Sequence, residues 1–343
     1  MEITTIGLDL AKSVFQVHGI NADGCPVVKK TLKRRQVLPF FAGLPPCLVG
    51  IEACGTSHHW ARQISELGHE VRLMPPSYVK AYVKRGKTDA ADAEAICEAV
   101  RRPSMRFVAI KSTEQQAELS IHRAREILVR QRTQLTNAIR SLLAEFGTDH
   151  ARGIHQAMGL IDRIMEGTVV EVPAVAMDVL QLLARQVKDL QARIVALEKL
   201  MLTLHRKNEL AKRLATIPGI GVITAGALAA TVSDPGQFRS GRQFAAWLGL
   251  TPLSRSSGGK ERLGHISKMG DKYIRRLLVV GMTALIQRAR IKPEGASPWL
   301  LALMERKPTR LITVALANKA ARVVWALMVR GDSYRKPVEL VAA

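Results

Sequence analysis

The middle of the chain carries the feature that most constrains its fold, a series of apolar residues spaced alternately four and three positions apart. The series consists of Leu183, Val187, Leu190, Ile194, Leu197, Met201 and Leu204. This alternation predicts a long helix with one continuous apolar seam of the coiled-coil type. Pro173 precedes the series and is suited to open the helix. Because a single helix cannot bury its own seam, the seam requires a partner surface, either in this chain or in another subunit.

An earlier series of apolar residues predicts that partner. It consists of Ile121, Ala124, Leu128, Leu135, Ala138 and Leu142, with Gln131 as a polar seam position. The segment Ser112-Thr113-Glu114-Gln115 resembles a capping box at the helix start, and Gly147 is placed to end the helix after Phe146. Two antiparallel helices of this length would extend roughly 50 Å. The pair is interpreted either as a hairpin packed on itself or as a spacer and contact between subunits.

The first hundred residues show the pattern of an α/β domain. Predicted strands cover residues 3–8, 14–20, 26–32, 48–51 and 71–74, and predicted helices cover residues 60–67 and 89–100. Asn21-Ala22-Asp23-Gly24 is a turn signal between the second and third strands. From about Leu214 onward helical segments alternate with glycine-rich turns, which predicts a compact helical domain.

The charge of the chain indicates a polyanionic partner. Lys and Arg number 51 against 29 Asp and Glu, a formal net charge of +22. Nucleic acid is the expected partner, and a ribosomal or membrane-surface protein is the alternative. An aromatic content of 4% favours contacts with backbone phosphates over base stacking.

The cysteines and the N-terminal segment bear on the compartment. Cys25, Cys47, Cys54 and Cys97 form no CxxC pair, which disfavours a zinc ribbon and fits a reduced cytoplasm. The first residues show no basic segment followed by an apolar stretch, so no signal peptide is expected. No uncharged apolar run reaches the length of a membrane span, so no membrane partner is expected.

Four acidic residues form a pattern suited to a metal site. Asp9 lies just past the first strand, Glu52 follows the strand 48–51, and Asp89 and Asp92 share one face of a helix. Carboxylate oxygens are preferred ligands of Mg²⁺, and two such ions can clamp a phosphate displacement. Taken singly, Asp9 is compatible with a turn and Asp89 with a helix N-cap. Taken together, the four predict a site for Mg²⁺ (or Mn²⁺).

The sequences around these acids resemble a known family. GLDLAKSVFQV, GIEACGTSHHWA, LGHEVRLMPPSYVKAY and KTDAADAEAI are similar to the RuvC-like, RNase H-fold domain of the DEDD insertion-sequence transposases. That family includes Piv-type invertases and bridge-RNA-guided serine recombinases. The resemblance implies Asp9, Glu52, Asp89 and Asp92 as the metal ligands. The roles of His58 and His59 stay open between metal or DNA contacts and surface positions at a helix start.

A glycine motif in the C-terminal half predicts a contact with nucleic acid. Ile217-Pro218-Gly219-Ile220-Gly221 resembles a helix-hairpin-helix turn. Backbone N–H groups of Gly219 and Gly221 are suited to hold a phosphate, although such turns also serve plain helix packing. The later run Gly258-Gly259-Lys260 is not a Walker A loop, because Glu261 stands where Ser or Thr is required.

Two adjacent serines lie in a basic loop. Ser256 and Ser257 are accompanied by Arg255, Lys260, Arg262 and Lys268. A serine hydroxyl can attack a phosphodiester while neighbouring cations neutralise the developing charge, but the same residues also suit an ordinary turn. The segment SRSSGGKERLGHISKMGDKYIRRLL resembles the C-terminal domain of the same family, which supplies a nucleophilic serine. The resemblance implies that role for Ser256, with Ser257 as its rival, and implies nucleic-acid contacts at Arg275 and Arg276.

The resemblance extends to about residue 330 and implies an α/β plus all-α architecture. We expect a RuvC-like domain at 1–110, a coiled-coil hairpin at 111–210 and a C-terminal transposase domain at 211–335. The implied function is a bacterial cytoplasmic transposase that cuts and rejoins double-stranded DNA through a phosphoserine intermediate. A structured guide RNA and a homo-oligomer, dimer or tetramer, are implied partners. The alternatives are a RuvC-like junction-resolving nuclease, which needs no serine loop, and a binding protein without activity.

Overall fold

The computed structural model of the protein describes residues 2–83, 88–151, 153–169, 172–256, 260 and 262–335. The chain divides into two compact units, Met1–Glu114 and Gln115–Ala343. The predicted helical hairpin and the C-terminal helices fall in the second unit. Their separation into two domains stays a prediction.

The N-terminal unit is built on a five-stranded sheet of order β3-β2-β1-β4-β5. Its strands are β1 (Thr5–Leu10), β2 (Val14–Ile20), β3 (Pro26–Lys33), β4 (Leu48–Glu52) and β5 (Glu70–Met74). β1, β2 and β3 pair antiparallel, whereas β1, β4 and β5 run parallel. The five predicted strands are confirmed, with ends that shift by up to two residues. This mixed α/β arrangement is consistent with the expected RNase H-like fold.

Helices cover both faces of this sheet. They are α1 (Val37–Ala42), α2 (Ser57–Glu66), α3 (Pro76–Val79) and α4 (Asp89–Val100). On one face, Phe15 and Trp60 meet edge to face at 5.0 Å in a core that includes Ile64. On the other face, Ile96 and Val100 of α4 pack with Met74. The two predicted helices are confirmed as α2 and α4, and α1 and α3 are additional.

The second unit is helical apart from a short hairpin of β6 (Pro252–Ser254) and β7 (Leu263–Ile266). Its helices are α5 (Thr113–Ala144), α6 (Ile154–Met165), α7 (Ala174–Lys207), α8 (Glu209–Ala215), α9 (Val222–Thr231), α10 (Gly241–Trp247), α11 (Lys272–Ile291), α12 (Pro298–Arg306) and α13 (Thr309–Arg330). The long helices α5 and α7 begin and end within a few residues of the predicted positions.

The helices α5 and α7 lie antiparallel. Arg125 bonds to Glu198 and Arg132 bonds to Gln191, so the partner number falls by seven as the first rises by seven. The predicted seam on α5 is wrong by one residue. Leu142 is 39% exposed, and the buried residues are instead His122, Thr136, Ile139 and Leu143. Coiled-coil supercoiling stays a prediction.

Helix α6, which the periodicity does not predict, accounts for the shifted seam. Its residues Leu160 and Ile164 join Ile139 of α5 and Leu180 and Ala184 of α7 in one buried cluster. Because this cluster has three helices, α5 presents a face that lies between α6 and α7 rather than the face suited to a two-helix seam. Val187, Ile194 and Met201 of the predicted α7 seam are buried.

The remaining helices enclose a separate apolar core. Phe244, Ile274 and Leu278 are completely buried in it, together with one side of α13. Among the helices in the described part of the chain, α13 alone has the length and hydropathy of a membrane span. Because Ala321 and Val324 of α13 are fully buried, this helix packs in the core of the second unit.

Candidate active site

Asp9 and Glu52 occupy equivalent positions on two neighbouring parallel strands. Gly7 of β1 pairs with Gly50 of β4, and Leu8 pairs with Ile51. Near its C-terminal end each strand therefore carries a glycine, a buried apolar residue and an acid in that order, and Asp9 lies within β1 rather than just past it. Since Leu8 and Ile51 are fully buried on one face, alternation places Asp9 and Glu52 on the other face. The two carboxylates share one face and one level of the sheet.

The two glycines let α4 lie directly against that face. A Cβ at Gly7 would collide with the carbonyl oxygen of Ala93 and the amide nitrogen of Cys97. A Cβ at Gly50 would lie 2.8 Å from Cβ of Val100. Because Ala93 lies over Gly7, the preceding turn of α4 brings Asp89 and Asp92 to the end of the sheet where Asp9 lies. The sequence reasoning overlooked these glycines, although the repeated glycine-apolar-acid pattern marks them.

Thr88 caps the N-terminus of α4. Its hydroxyl accepts a hydrogen bond from the backbone N–H of Ala91 at 3.2 Å. Asp89 is the first residue of the helix, so its interpretation as the N-cap is wrong. Asp89 and Asp92 lie in the first turn, where the positive end of the helix dipole partly offsets their charge. The helix therefore holds two acids near Asp9 at a reduced electrostatic cost.

The electrostatics of Asp9 link the four acids. Burial, and after it the negative charges of Asp92, Asp89 and Glu52, together raise the pKa of Asp9 from 3.8 to about 6, against a backbone hydrogen bond at Leu10 that lowers it. Because the charges of Asp92, Asp89 and Glu52 all raise the pKa of Asp9, the four acids form one electrostatically coupled cluster.

The donor chemistry of the cluster fits Mg²⁺ or Mn²⁺. All four side chains offer hard carboxylate oxygens, and their mutual repulsion is what a divalent cation relieves. In the described part of the chain no three His, Cys, Asp or Glu side chains converge as a preformed metal cage.

The two histidines after Glu52 have structural contacts. The Nδ1 atom of His58 accepts from the backbone N–H of Lys111 at 3.2 Å, and its Nε2 atom lies 3.3 Å from Nζ of the same lysine. His59 meets the ring of Trp60 edge to face at 5.2 Å. These contacts favour the interpretation of both residues as positions at a helix start.

Ser256 lies just past β6 in the β6–β7 hairpin, here called the serine hairpin. Ser254 pairs with Leu263, and the N–H of Arg255 donates to the carbonyl of Arg262 at 2.8 Å. The Oγ atom of Ser256 accepts hydrogen bonds from the N–H of Arg262 at 3.1 Å and from the hydroxyl of Ser254 at 3.0 Å. Ser257, its predicted rival, lies outside the described residues.

The basic residues around the loop differ in their surroundings. Arg255, Lys260, Arg262 and Lys268 are exposed. Arg276 is about half exposed and forms an ion pair with Glu126 at 2.9 Å. The exposed side chains remain predicted nucleic-acid contacts, and Arg276 would have to exchange its partner to become one.

Arg275 belongs to the base of the hairpin, and its contacts favour a structural role over the predicted contact with nucleic acid. Its guanidinium is buried, and Nη1 donates to the carbonyl of Leu248 at 2.8 Å and of Met269 at 2.6 Å. The two chain segments cross closely here, because Gly249 and Gly270 have φ of 69° and 70° and no room for a Cβ. Arg275 therefore fastens together the two ends of the serine hairpin.

The helix-hairpin-helix turn lies between α8 and α9. Gly219 has φ of 83°, and a Cβ there would lie 3.2 Å from the carbonyl oxygen of Gly281 on α11 and collide with Met282. This glycine therefore serves helix packing, while the phosphate contact of its backbone N–H stays a prediction. Gly221, the N-cap of α9, has open space around it and remains a predicted contact.

Comparisons with known proteins identify the family. Residues 6–148 match a DEDD transposase family and residues 211–297 match the transposase IS116/IS110/IS902 family. A probable family 20 transposase of Pseudomonas aeruginosa is 50% identical over 98% of this chain and 99% of its own length. The chain belongs to the IS110 family of insertion-sequence transposases. The present chain is also 40% identical to the transposase for element IS1328 of Yersinia enterocolitica, over 97% of its own length and 99% of that relative. The transposase for element IS1111A of Coxiella burnetii is 39% identical over 97% and 92% of the two chains.

Proposed function

We propose that this transposase cuts and rejoins double-stranded DNA through a covalent phosphoserine link at Ser256, assisted by a divalent metal at the carboxylate cluster. The observation that carries the proposal is the hydrogen bonding of Ser256. Both the N–H of Arg262 and the hydroxyl of Ser254 donate to its Oγ atom. Two donors stabilise negative charge on an oxygen, so they favour its conversion to the nucleophilic alkoxide.

The chemical step is a transesterification that conserves the number of phosphoester bonds. The Oγ atom of Ser256 bonds to phosphorus as the bond from phosphorus to one deoxyribose oxygen breaks. The serine loses its proton to solvent, and the departing sugar oxygen gains one. The exposed cations Arg255, Lys260 and Arg262 are placed on the same loop to offset charge on the phosphoryl oxygens. A DNA hydroxyl then attacks the phosphoserine, which restores Ser256 and rejoins the strand.

The carboxylates would hold the metal, with Asp9 and Glu52 on the sheet and Asp89 and Asp92 on α4. A bound Mg²⁺ supplies Lewis acidity and neutralises phosphate charge. The protein contributes a rigid frame for this function, because α4 is pressed onto Gly7 and Gly50 and cannot move away without losing that packing. With a pKa of about 6, Asp9 is mostly ionised at neutral pH, and a bound cation would relieve the repulsion between it and the other three acids.

The proposal includes the partners that the family resemblance implies. They are a duplex DNA substrate, a structured guide RNA and further copies of this chain, as a dimer or tetramer, in a bacterial cytoplasm. The net charge of +22 supports binding to both nucleic acids. The predicted contacts on the second unit include Gly219, Gly221, Arg255, Lys260, Arg262, Lys268 and Arg276.

A covalent protein–DNA adduct on a denaturing gel tests the mechanism. The reaction contains Mg²⁺, DNA with the ends of the element and RNA transcribed from its flanks. Wild type is compared with Ser256→Ala, with the adjacent Ser257→Ala as matched control, and with Asp9→Asn. We expect an adduct that Ser256→Ala and Asp9→Asn remove and Ser257→Ala retains. Loss in Ser257→Ala alone would move the nucleophile by one residue.

The alternative is a junction-resolving nuclease that uses the carboxylates and water. The assembly of all four acids within the N-terminal unit, without any residue of the serine hairpin, favours this candidate. It predicts strand cleavage without an adduct, abolished by Asp9→Asn and insensitive to both serine substitutions. That result would exclude the phosphoserine mechanism.

A further inference from the structure

A polar row crosses the sheet from the carboxylates to its edge. Asp9 of β1 lies opposite Gln16 of β2, and Gln16 lies opposite Thr31 of β3. Directly opposed residues share a face of a sheet, so the three side chains line up on the α4 face. The hydroxyl of Thr31 donates to Oε1 of Gln16 at 3.0 Å. This bond leaves the amide NH₂ of Gln16 as a donor beside the carboxylate cluster.

Lysines flank this row on the same face. Lys29 and Lys33 stand two residues before and after Thr31, so alternation places them on its side of the sheet. Both are exposed, and neither takes part in an ion pair within the described part of the chain. With strands about 4.8 Å apart, Thr31 lies about 10 Å from Asp9.

Two further cations of the same segment are held elsewhere. Lys30 lies 5.7 Å from the ring centre of Phe40, and Arg34 lies 5.2 Å from that of Trp60. Both rings belong to or pack against the core on the opposite face. The segment therefore carries two cations directed toward the carboxylate face and two directed away from it.

We propose that Gln16, Lys29, Thr31 and Lys33, here called the edge track, bind the sugar–phosphate backbone of the DNA strand whose next phosphate reaches the carboxylates. The inference rests on the proposed DNA cleavage at that cluster. The amide and hydroxyl groups donate to phosphate oxygens, and the two lysines neutralise backbone charge. Four acids repel an approaching phosphate, and the two lysines, about 12 Å from Asp9 on the same face, offset that repulsion. The edge track reads no base edges, so it binds without sequence preference.

Protection of the sheet edge is the competing explanation, because lysines on edge strands discourage pairing with another chain. That role applies equally to Lys30, which faces the other way. It also gives no reason for a Gln16–Thr31 pair next to Asp9. The two explanations predict different results for cations on the two faces.

The test compares two charge-matched variants of the full-length protein. Lys29→Gln/Lys33→Gln alters the edge track, and Lys30→Gln/Arg34→Gln removes the same charge from the opposite face. Binding of fluorescein-labelled single-stranded DNA is measured by anisotropy over a range of salt concentrations, without a cleavage step. Loss of two phosphate contacts lowers the slope of log affinity against log salt by about 1.4. We expect that change in the edge-track variant and little change in the control.

Photocrosslinking locates the contact independently. Benzoylphenylalanine placed at position 31 is expected to crosslink to the DNA, whereas the same group at position 30 is not. Equal salt slopes for the two double variants with no crosslink from position 31 would overturn the proposal, and so would a crosslink to RNA of the same sequence but not to DNA. If the edge-track variant shows the altered salt slope but the wild type cleaves DNA without forming an adduct, the phosphoserine mechanism is refuted and the edge track stands. If the wild type forms the adduct but the edge-track variant binds DNA with an unaltered salt slope, the edge track is refuted and the phosphoserine mechanism stands.

Discussion

Replacement of Asp9 by Asn should stabilise the metal-free N-terminal unit and abolish its stabilisation by Mg²⁺. The pKa of Asp9 is raised from 3.8 to about 6 by burial and by the neighbouring acids. A raised carboxyl pKa means that folding disfavours the charged form. The resulting cost is absent below pH 3.8, where the acid is protonated in both states, and is complete above about pH 6.

The size of this effect follows from the shift. About two pH units correspond to about 3 kcal/mol at most. Asp9 is only half-buried, so solvent screening reduces the expected cost to about 1–1.5 kcal/mol. Asn keeps the shape of the side chain and removes its charge. At pH 7 in EDTA the free energy of unfolding of the N-terminal unit should therefore rise by roughly 1 kcal/mol, and the gain should shrink toward pH 4.

Hydrogen exchange followed by mass spectrometry suits a protein of two units, because peptides from β1 and β4 report on the N-terminal unit alone. Mg²⁺ should slow exchange in the wild type and leave Asp9→Asn unchanged. Asp23→Asn, which removes an exposed acid from the β2–β3 turn, is the control and should alter neither condition. Destabilisation by Asp9→Asn in EDTA, or an undiminished response to Mg²⁺, would refute the coupled carboxylate cluster.

Three further outcomes follow from the structure. Gly7→Ala should destabilise the N-terminal unit by about 2–4 kcal/mol, because its Cβ would collide with the backbone of α4, and faster hydrogen exchange in α4 peptides would show it. Ser254→Ala should slow adduct formation by about tenfold or more, since Ser256 loses a donor to its developing negative charge, whereas Ser254→Thr should retain most of the rate. Burial lowers the pKa of His122 to about 4, so the second unit should lose about 1–2 kcal/mol as pH falls from 6.5 to 5, the neutral form being favoured in the folded state. His122→Gln should flatten that pH dependence, as measured by hydrogen exchange of α5 peptides during chemical unfolding. A dependence that is not flattened would contradict the burial of neutral His122 as its cause.

Much of the N-terminal unit could be predicted because its signals are local. Short β-branched segments, the Asn21–Gly24 turn and the acids at strand ends are legible in the sequence. Parallel pairing then brings Asp9 beside Glu52 without further information. The metal-binding role of the four acids and the nucleophilic role of Ser256 stay predictions, because position alone does not establish chemistry.

The tertiary structure decided which of several possible faces and contacts were used. Apolar periodicity predicted that α5 has a buried stripe, but the unforeseen α6 determined that Ile139 rather than Leu142 faces the core. Arginine is usually found at the protein surface, yet Arg275 lies buried between two crossing segments of backbone. Sequence patterns specify which residues share a surface, whereas burial depends on what the rest of the chain places against that surface. For this reason the N-terminal strands, the long helices α5 and α7 and the positions of the acids could be predicted, whereas α6, the hairpin seam, the base of the serine hairpin and the polar row toward Thr31 could not.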